Sequence, residues 1–477
     1  MKIPRNAKRI IEILQYNSHD AYVVGGCVRD TLMGQEPGDW DITTSARPEE
    51  VKRLFKRTID TGIEHGTVTV LMSAGQDSGF EHYEVTTYRI DGAYSDHRRP
   101  DKVEFSDSLT EDLRRRDFTI NAMAYNDAAG LVDEFGGQQD LKDRVIRCVG
   151  IADERFEEDA LRMLRAVRFS AKLGFDIAQD TMEAIRRHAP ELSHVSAERI
   201  YTELYKTLIS PDPYKLQLLW ELGLAAHVSP GFAKIQDAGG VLVTGTAHSR
   251  PRTGEAVRDH RIVSDTAQDR QDTKCCAGDA DETGDRGCAD DTAETADTDN
   301  NGCFGDEGDA SGMLQVYETA ASVLLRYAPW AGLMRNIAPE EAGSILRELK
   351  SDNDTIRNTL LVTAEYRHSL PQTSYEIKKC LNRIGPELFE DLLELKRDTC
   401  DDEAIEAARR LGHEILDRCE PYRISDLDID GYAVMAMGYK GRKVGEMLEY
   451  LLDSVMKDPG LNNCAELERL AERKSDE

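Results

Sequence analysis

The sequence has no apolar run approaching the twenty or so residues that a membrane-spanning helix needs, so no membrane is expected among its partners. A secretory leader is not expected either. The opening MKIPRNAKRIIEILQ is basic, but it turns amphipathic at once and lacks an apolar stretch or a cleavage signature. It reads as a first helix, and the expected location is cytoplasmic. Paired cysteines are absent too. Cys27, Cys148, Cys275, Cys276, Cys288, Cys303, Cys380, Cys400, Cys419 and Cys464 are scattered, which fits reduced thiols better than a disulfide framework. Four of them share one polar tract, yet their spacing matches no closed zinc pattern. Finally, there is no excess of positive charge: the formal net charge is −29. Alone, that argues against a nucleic-acid partner, because phosphate binding wants Lys and Arg. Distribution matters more than the sum. LRRRDF (113–118) and RMLRAVR (162–168) are locally basic, and much of the acid lies in 265–310. The global charge therefore bears on solubility and does not exclude RNA.

With 477 residues and 40% hydrophobic content, two to four packed domains are expected. Residues 1–150 alternate short strands with helices. AYVVGG (21–26) is a strand running into a turn, and CVRDTLMG is a short helix ended by Gly34. WDITTS (40–45) is a strand, and RPEEVKRLFK is a helix with Pro48 near its start. GTVTVLM (66–72) and HYEVTTYRI (82–90) alternate like neighbouring strands. From about 151 the pattern is helical. FEEDALRMLRAVRFSAKL (156–173) has one continuous helical period, and SAERIYTELYKTLIS (196–210) opens on a Ser cap. Residues 236–312 are rich in Gly, Asp, Thr and Ser without apolar period, and read as a disordered acidic insertion. Helical periodicity returns over 313–420 and 443–456. The fold class is α+β: a small mixed-sheet head (1–150), then an elongated all-helical neck (151–235) and a helical body and tail (313–477).

The chemistry concentrates in VGGCVRDTLMGQEPGDWDITTS, residues 24–45. Gly25 and Gly26 end a strand and let backbone N–H groups approach a phosphate. Arg29, one turn on, can clamp a triphosphate oxygen. Asp39 and Asp41, two apart on a strand, point to one face and can share Mg²⁺, which prefers oxygen ligands and substrate phosphates. Such a pair can activate an attacking hydroxyl and stabilise leaving pyrophosphate. A third carboxylate is expected from a neighbouring strand, and Glu84 is the candidate. Each piece alone is commonplace; together within twenty-two residues they form a sharper signal.

GGCVRD (25–30), DWD (39–41), RRRDFTINAMA (114–124), EDALRMLRAVRF (158–169) and AERIYTELYK (197–206) closely resemble the class II tRNA nucleotidyltransferases and bacterial poly(A) polymerases, a branch of the DNA polymerase β-like superfamily. The segments fall in family order across about 1–220. The resemblance implies that Gly26 and Arg29 bind the nucleotide, that Asp39 and Asp41 hold magnesium, and that Arg116 contacts the nucleotide with Asp117 bracing the site. It also implies addition of C, C and A to tRNA from CTP and ATP. The alternatives are poly(A) synthesis, which shares nearly every head motif, and a non-catalytic RNA-binding protein on the same fold.

Asp159 and Arg162 are three apart on the helix 156–173, so they occupy one face. A carboxylate accepts from an exocyclic amino group, while a guanidinium donates to a ring nitrogen or carbonyl. Cytosine and adenine offer that amino group beside a ring acceptor; uracil and guanine present a carbonyl instead. A buried mismatch costs about 1–3 kcal/mol, so one Asp/Arg pair can read CTP and ATP and reject UTP and GTP. Arg165 and Arg168 continue the series. The resemblance places both among the nucleotide-binding residues; alternatively they pair with Glu157, Glu158 or Glu198. The charged loop 91–105, with His97 as a polar loop residue, corresponds to the flexible loop that helps CCA-adding relatives switch from C to A. GYKGRKVGEML (438–448) resembles the family's tail, where Lys440, Arg442 and Lys443 either touch the RNA backbone or form a solvated basic turn. No His-Asp phosphohydrolase motif is present.

Overall fold

The computed structural model describes residues 1–74, 79–91, 103–236 and 326–475. Most of the charged loop with His97, the acidic insertion beyond Asp237's predecessor Gln236, and the four cysteines of its tract lie outside the described residues. All described residues fall in one compact unit, Met1–Thr246 with Glu318–Glu477; the second unit, Ala247–Tyr317, lies outside them.

The head is built on strands β1 (Ala21–Val24), β2 (Ile42–Thr44), β3 (Thr58–Gly62), β4 (Thr67–Ser73), β5 (Phe80–Thr87), β6 (Arg89–Asp91), β7 (Val103–Phe105), β8 (Ala124–Asn126) and β9 (Gly130–Val132). Seven of them form one sheet in the order β3-β4-β5-β2-β1-β8-β9, while β6 and β7 pair as a separate ribbon. Only β2 and β5 run parallel in the large sheet, so it is mixed, as its pattern implied. Val68, Val70, Tyr83 and Val85 alternate inward from β4 and β5, as period-two strands must. They meet Ile10, Ile11 and Leu14 of α1 (Arg5–Tyr16) and Val51 of α3 (Pro48–Leu54) in the head core. Pro48 opens α3, and the Glu50 carboxylate accepts the Arg47 N–H at 2.8 Å at the helix start.

Two local expectations are corrected. First, β2 begins at Ile42, so Asp39 and Asp41 lie just ahead of the strand. The Asp41 carbonyl still accepts the Val24 N–H at 3.0 Å, but pairing with β5 starts only at Ile42↔Val85. Second, residues 156–173 are two helices, α6 (Ala152–Glu158) and α7 (Leu161–Leu173). Asp159 is extended (φ −149°, ψ 101°), and its Oδ1 accepts the Leu161 N–H at 3.1 Å. A short acidic side chain offers the backbone this alternative bond, so the helix stops and restarts there. A third difference is smaller: Ser196 stands at the start of α9 (Ala197–Leu208), but its hydroxyl accepts no capping bond.

Between α2 (Gly26–Leu32) and α9 the chain also forms α4 (Leu109–Arg114), α5 (Gly137–Asp143) and α8 (Gln179–His188). One core runs from Phe118 through α7 and α9 to Leu349. Beyond residue 326 the described secondary-structure elements are all helices. A core around Ile377, Leu381, Leu392 and Ile405 holds helices Asn353–Tyr366, Ser374–Lys396 and Asp402–Asp417 together. Another, around Val434, Leu451 and Val455, holds the tail helix Arg442–Lys457. Helix Ser374–Lys396 kinks at Gly385 (φ 79°) before Pro386, as a missing N–H and the proline ring demand.

Candidate active site

Where β1 ends, the chain turns sharply at Gly25 (φ 81°, ψ −126°) into α2. A Cβ there would sit 3.0 Å from Arg116 Nη1, so this position needs glycine both for its backbone angle and for its close neighbour. The turn brings Arg29 inward, only 3% exposed. Its Nε donates to Asp30 at 2.7 Å and its Nη1 to the Asn121 amide oxygen at 2.5 Å. Arg29, Asp39, Asp41, Arg116, Asp159, Arg162, Arg165 and Arg168 line one cavity of about 500 Å³ together with Gly25 and Gly26. Residues as far apart in sequence as Gly25 and Arg168 are thereby gathered at one place.

The DxD wall carries concentrated negative charge. Burial pushes the Asp41 carboxyl up to about 6, and Asp39 and Glu84 push the same way while Arg116 opposes them. Glu84 is not part of the cavity lining. It lies on β5 directly before Val85, the partner of Ile42, and so stands across the sheet from Asp41. Among the described residues no three His, Cys, Asp or Glu side chains are grouped to hold a metal ion by themselves. The donor set nevertheless suits one: two hard carboxylates, one of them crowded by like charge, with open cavity beside them for substrate oxygens.

A hidden acid organises the neighbouring wall. Asp112 of α4 is fully buried and accepts from Arg115 at 2.6 and 2.9 Å, from Arg116 at 3.2 Å and from the Thr43 hydroxyl at 3.0 Å. Burial alone would raise its pKa, but the two guanidiniums outweigh it and hold it below the usual range. Asp117 does the same for Arg165, which donates to its Oδ2 at 2.8 and 2.5 Å, while Asn121 donates at 3.1 Å. Burial again opposes, yet Arg165 and Asn121 lower this carboxyl to about 2. Asp117 therefore braces the site through Arg165.

On the opposite wall Arg162 is 9% exposed and its guanidinium is anchored from several sides. It donates to the Arg155 carbonyl at 3.0 Å, to the Arg115 carbonyl at 2.9 Å and to the Glu158 carboxylate. Asp159 accepts from Arg199 Nη2 at 2.7 Å. The two residues border the same cavity without bonding each other's side chains. Arg168 pairs with Glu203 at 2.6 Å, so the carboxylates that meet Arg165 and Arg168 are Asp117 and Glu203, not those of Glu157, Glu158 or Glu198. The Phe169 ring forms a post, with the guanidiniums of Arg29, Arg165 and Arg168 at 5.3, 5.4 and 4.4 Å from its centroid.

Sequence reasoning missed Asp112, Asn121, Phe169, Lys172 and Arg199. A signal existed for Asp112, three and four residues before Arg115 and Arg116. Lys440, Arg442 and Lys443 lie elsewhere and are exposed, Lys440 just before Gly441 and the other two opening the tail helix, with Arg442 pairing to Glu446 at 2.9 Å.

A mixed sheet whose DxD segment faces an arginine-lined helical wall is the arrangement of a nucleotidyltransferase head on a mostly helical remainder. Comparison with known proteins narrows this. Residues 21–147 match the poly A polymerase head domain, and residues 174–236 match a probable RNA- and SrmB-binding site of polymerase A. The chain is 50% identical over 238 residues to the CCA-adding enzyme of Geobacillus kaustophilus, a match covering 50% of this chain and 57% of that protein. It is 45% identical over 249 residues to the CCA-adding enzyme of Streptococcus pyogenes, covering 50% and 58%. The matches thus span little more than half the length of these curated relatives. The solved Bacillus stearothermophilus CCA-adding enzyme in complex with CTP superposes with a TM-score of 0.69 at 29% identity, covering 100% of both chains. Residues 21–147 are thus similar to a poly A polymerase head domain, and about half of the chain is similar to CCA-adding enzymes.

Proposed function

We propose that this protein adds C, C and A to the 3′ end of tRNA, using CTP and ATP without a nucleic-acid template and releasing pyrophosphate, in the cytoplasm. The observation that carries this reading is the single cavity bordered by Asp39 and Asp41 on one side and by Asp159 and Arg162 on the other. A nucleotide in that space has its phosphates within reach of the carboxylate pair while its base edge meets the Asp/Arg pair. The relatives that match the first half are CCA-adding enzymes, which favours this reading over poly(A) synthesis.

In this scheme Asp39 and Asp41 hold Mg²⁺, which when bound supplies charge for the phosphoryl oxygens. Glu84 supports Asp41 from the adjacent strand. Gly26, Arg29 and Arg116 bind the triphosphate, and Arg165 and Arg168 form the wall behind it. Asp159 accepts the amino group of cytosine or adenine through a lone pair not used by Leu161 or Arg199. Arg162, fixed by Glu158 and two carbonyls, offers its edge to the base. Residues 1–150 act as the catalytic head, 151–235 as the reading neck, and the helical remainder, with Lys440, Arg442 and Lys443, as the tRNA-binding part.

The test is direct. The protein is incubated with tRNA transcripts lacking CCA and with each NTP alone or in pairs, and the 3′ ends are sequenced. Ordered C, C, A addition is expected; runs of A, or no extension, refute the proposal.

A further inference from the structure

Every arginine that lines the active-site cavity already has a carboxylate. Arg29 pairs with Asp30, Arg115 and Arg116 with Asp112, Arg162 with Glu158, Arg165 with Asp117, Arg168 with Glu203 and Arg199 with Asp159. Lys172 lines the same cavity and makes no hydrogen bond or ion pair with any described residue. Its ammonium is the cation of the lining that can take an anion without giving up a carboxylate.

Its position says which anion. Arg162, Arg165, Arg168 and Lys172 follow one another at intervals of three, three and four along α7, and so form one stripe on that helix. Ten residues of helix cover about 15 Å, the span of an extended nucleoside triphosphate. The Asp159/Arg162 end faces the base in the proposed reading. At the other end Lys172 lies within electrostatic reach of Arg29, Asp30, Arg168 and Asp39. That is the end where the carboxylate pair and the buried guanidinium of Arg29 meet. Partial loss of solvent at the cavity wall and the like charges of Arg29 and Arg168 lower the Lys172 pKa, against Asp30 and Asp39, so an anion placed there relieves a crowded cation.

We propose that Lys172 holds the β- and γ-phosphates of the incoming nucleotide and keeps hold of them as leaving pyrophosphate. This rests on the nucleotidyl-transfer reading above. In that step the RNA 3′ oxygen bonds to the α-phosphorus while the bond from that phosphorus to the α–β bridging oxygen breaks. Pyrophosphate departs with the bonding pair, and the hydroxyl proton passes to water. The charge that develops on the bridging oxygen lies on the Lys172 side of the broken bond, where an ammonium stabilises it. The surrounding arginines, each shared with a carboxylate, position the nucleotide more than they neutralise it.

The experiment compares Lys172→Met, Lys172→Gln and Lys172→Arg with the unaltered full-length protein. Calorimetry measures CTP and CMP binding in the presence of Mg²⁺, and inhibition of C addition by inorganic pyrophosphate is measured alongside. Because Lys172 is exposed, both neutral variants should keep the fold. Lys172→Met and Lys172→Gln should weaken CTP binding about tenfold or more, leave CMP within twofold, and weaken pyrophosphate inhibition by a similar factor. Lys172→Arg should restore most of each. Equal losses for CTP and CMP, or CTP binding unchanged, overturn the assignment. If CTP and CMP diverge as stated but tRNA is never extended, the tRNA reading fails and the lysine assignment stands.

Discussion

Replacing Asp159 by alanine separates base reading from scaffolding, because the structure gives that carboxylate two other duties. Its Oδ1 caps α7 at Leu161 and its Oδ2 holds Arg199. Losing the cap costs about 1 kcal/mol, and losing the half-buried pair with Arg199 costs about 1 kcal/mol more. Asp159→Ala should therefore lower stability by about 2 kcal/mol, and Arg199→Met should reproduce part of that. Base reading is a different quantity. A charge-assisted bond to the amino group of cytosine or adenine contributes about 1.5–3 kcal/mol, and the carboxylate facing a carbonyl carries a penalty that the alanine removes. The ratio of correct to incorrect incorporation should fall about tenfold or more in Asp159→Ala, but by less than threefold in Arg199→Met. The assay is single-nucleotide addition to tRNA ending at the discriminator base, with each NTP separately. Stability is measured in parallel by urea unfolding. If Asp159→Ala slows CTP, ATP, UTP and GTP by one common factor matched by Arg199→Met, the carboxylate is a scaffold and the base-reading argument is wrong.

Asp39→Ala or Asp41→Ala should abolish nucleotide addition, by at least a thousandfold, without changing the urea midpoint by more than a few tenths molar; activity within tenfold of wild type for both would refute the metal-pair assignment. Asp117, held at about 2 against an ordinary value of 3.8, contributes about 2 kcal/mol of stability above pH 4 that is lost as the pH falls through its folded value. Asp117→Asn should thus be less stable by that amount at pH 7, with a gap shrinking toward pH 3; a gap independent of pH would show that charge is not the cause. Asp391 is the opposite case: burial raises it to about 6, and its Oδ1 accepts the N–H groups of Tyr327 and Ala328 at 3.1 and 2.7 Å. Its folded value exceeds the unfolded one, so stability falls as pH rises from about 4 to 6. Asp391→Asn keeps the acceptor and should match or exceed wild type at pH 7.5, while Asp391→Ala should lose about 2–4 kcal/mol; equal losses in both variants would count against this account.

The head was legible because its strands announce themselves by alternation and its DxD and glycine turn sit close together in sequence. Strands that escaped notice have physical reasons. β3 is a mostly exposed edge strand without alternation, and β8 and β9 are three residues each. The break between α6 and α7 was invisible because Asp and Ala do not interrupt a helical period. It is the tertiary pull of Arg199, together with the cap to Leu161, that fixes Asp159 outside the helix. Arg165 and Arg168 were recognised as cavity residues, but their carboxylate partners were not. Asp117 lies 48 positions before Arg165, and no local spacing could report that pair. Asp112 was hidden for a simpler reason: an acid among arginines on a short helix reads as surface charge, and only its complete burial reveals a hub.

The arginine–carboxylate pairs of the cavity have a consequence for rigidity. A nucleic-acid template presents its base edges at fixed places because stacking and the sugar–phosphate chain immobilise them before a monomer arrives. A free arginine would have to surrender rotamer freedom, about 2 kcal/mol in a long side chain, each time a nucleotide bound. Here that freedom was surrendered on folding. Glu158 anchors Arg162, Asp117 anchors Arg165 and Glu203 anchors Arg168, while the Phe169 ring fills the space among their neighbours. In the proposed reading the acidic side chains serve as the printing frame in which the basic ones are set as type, so that every nucleotide would meet the same pattern.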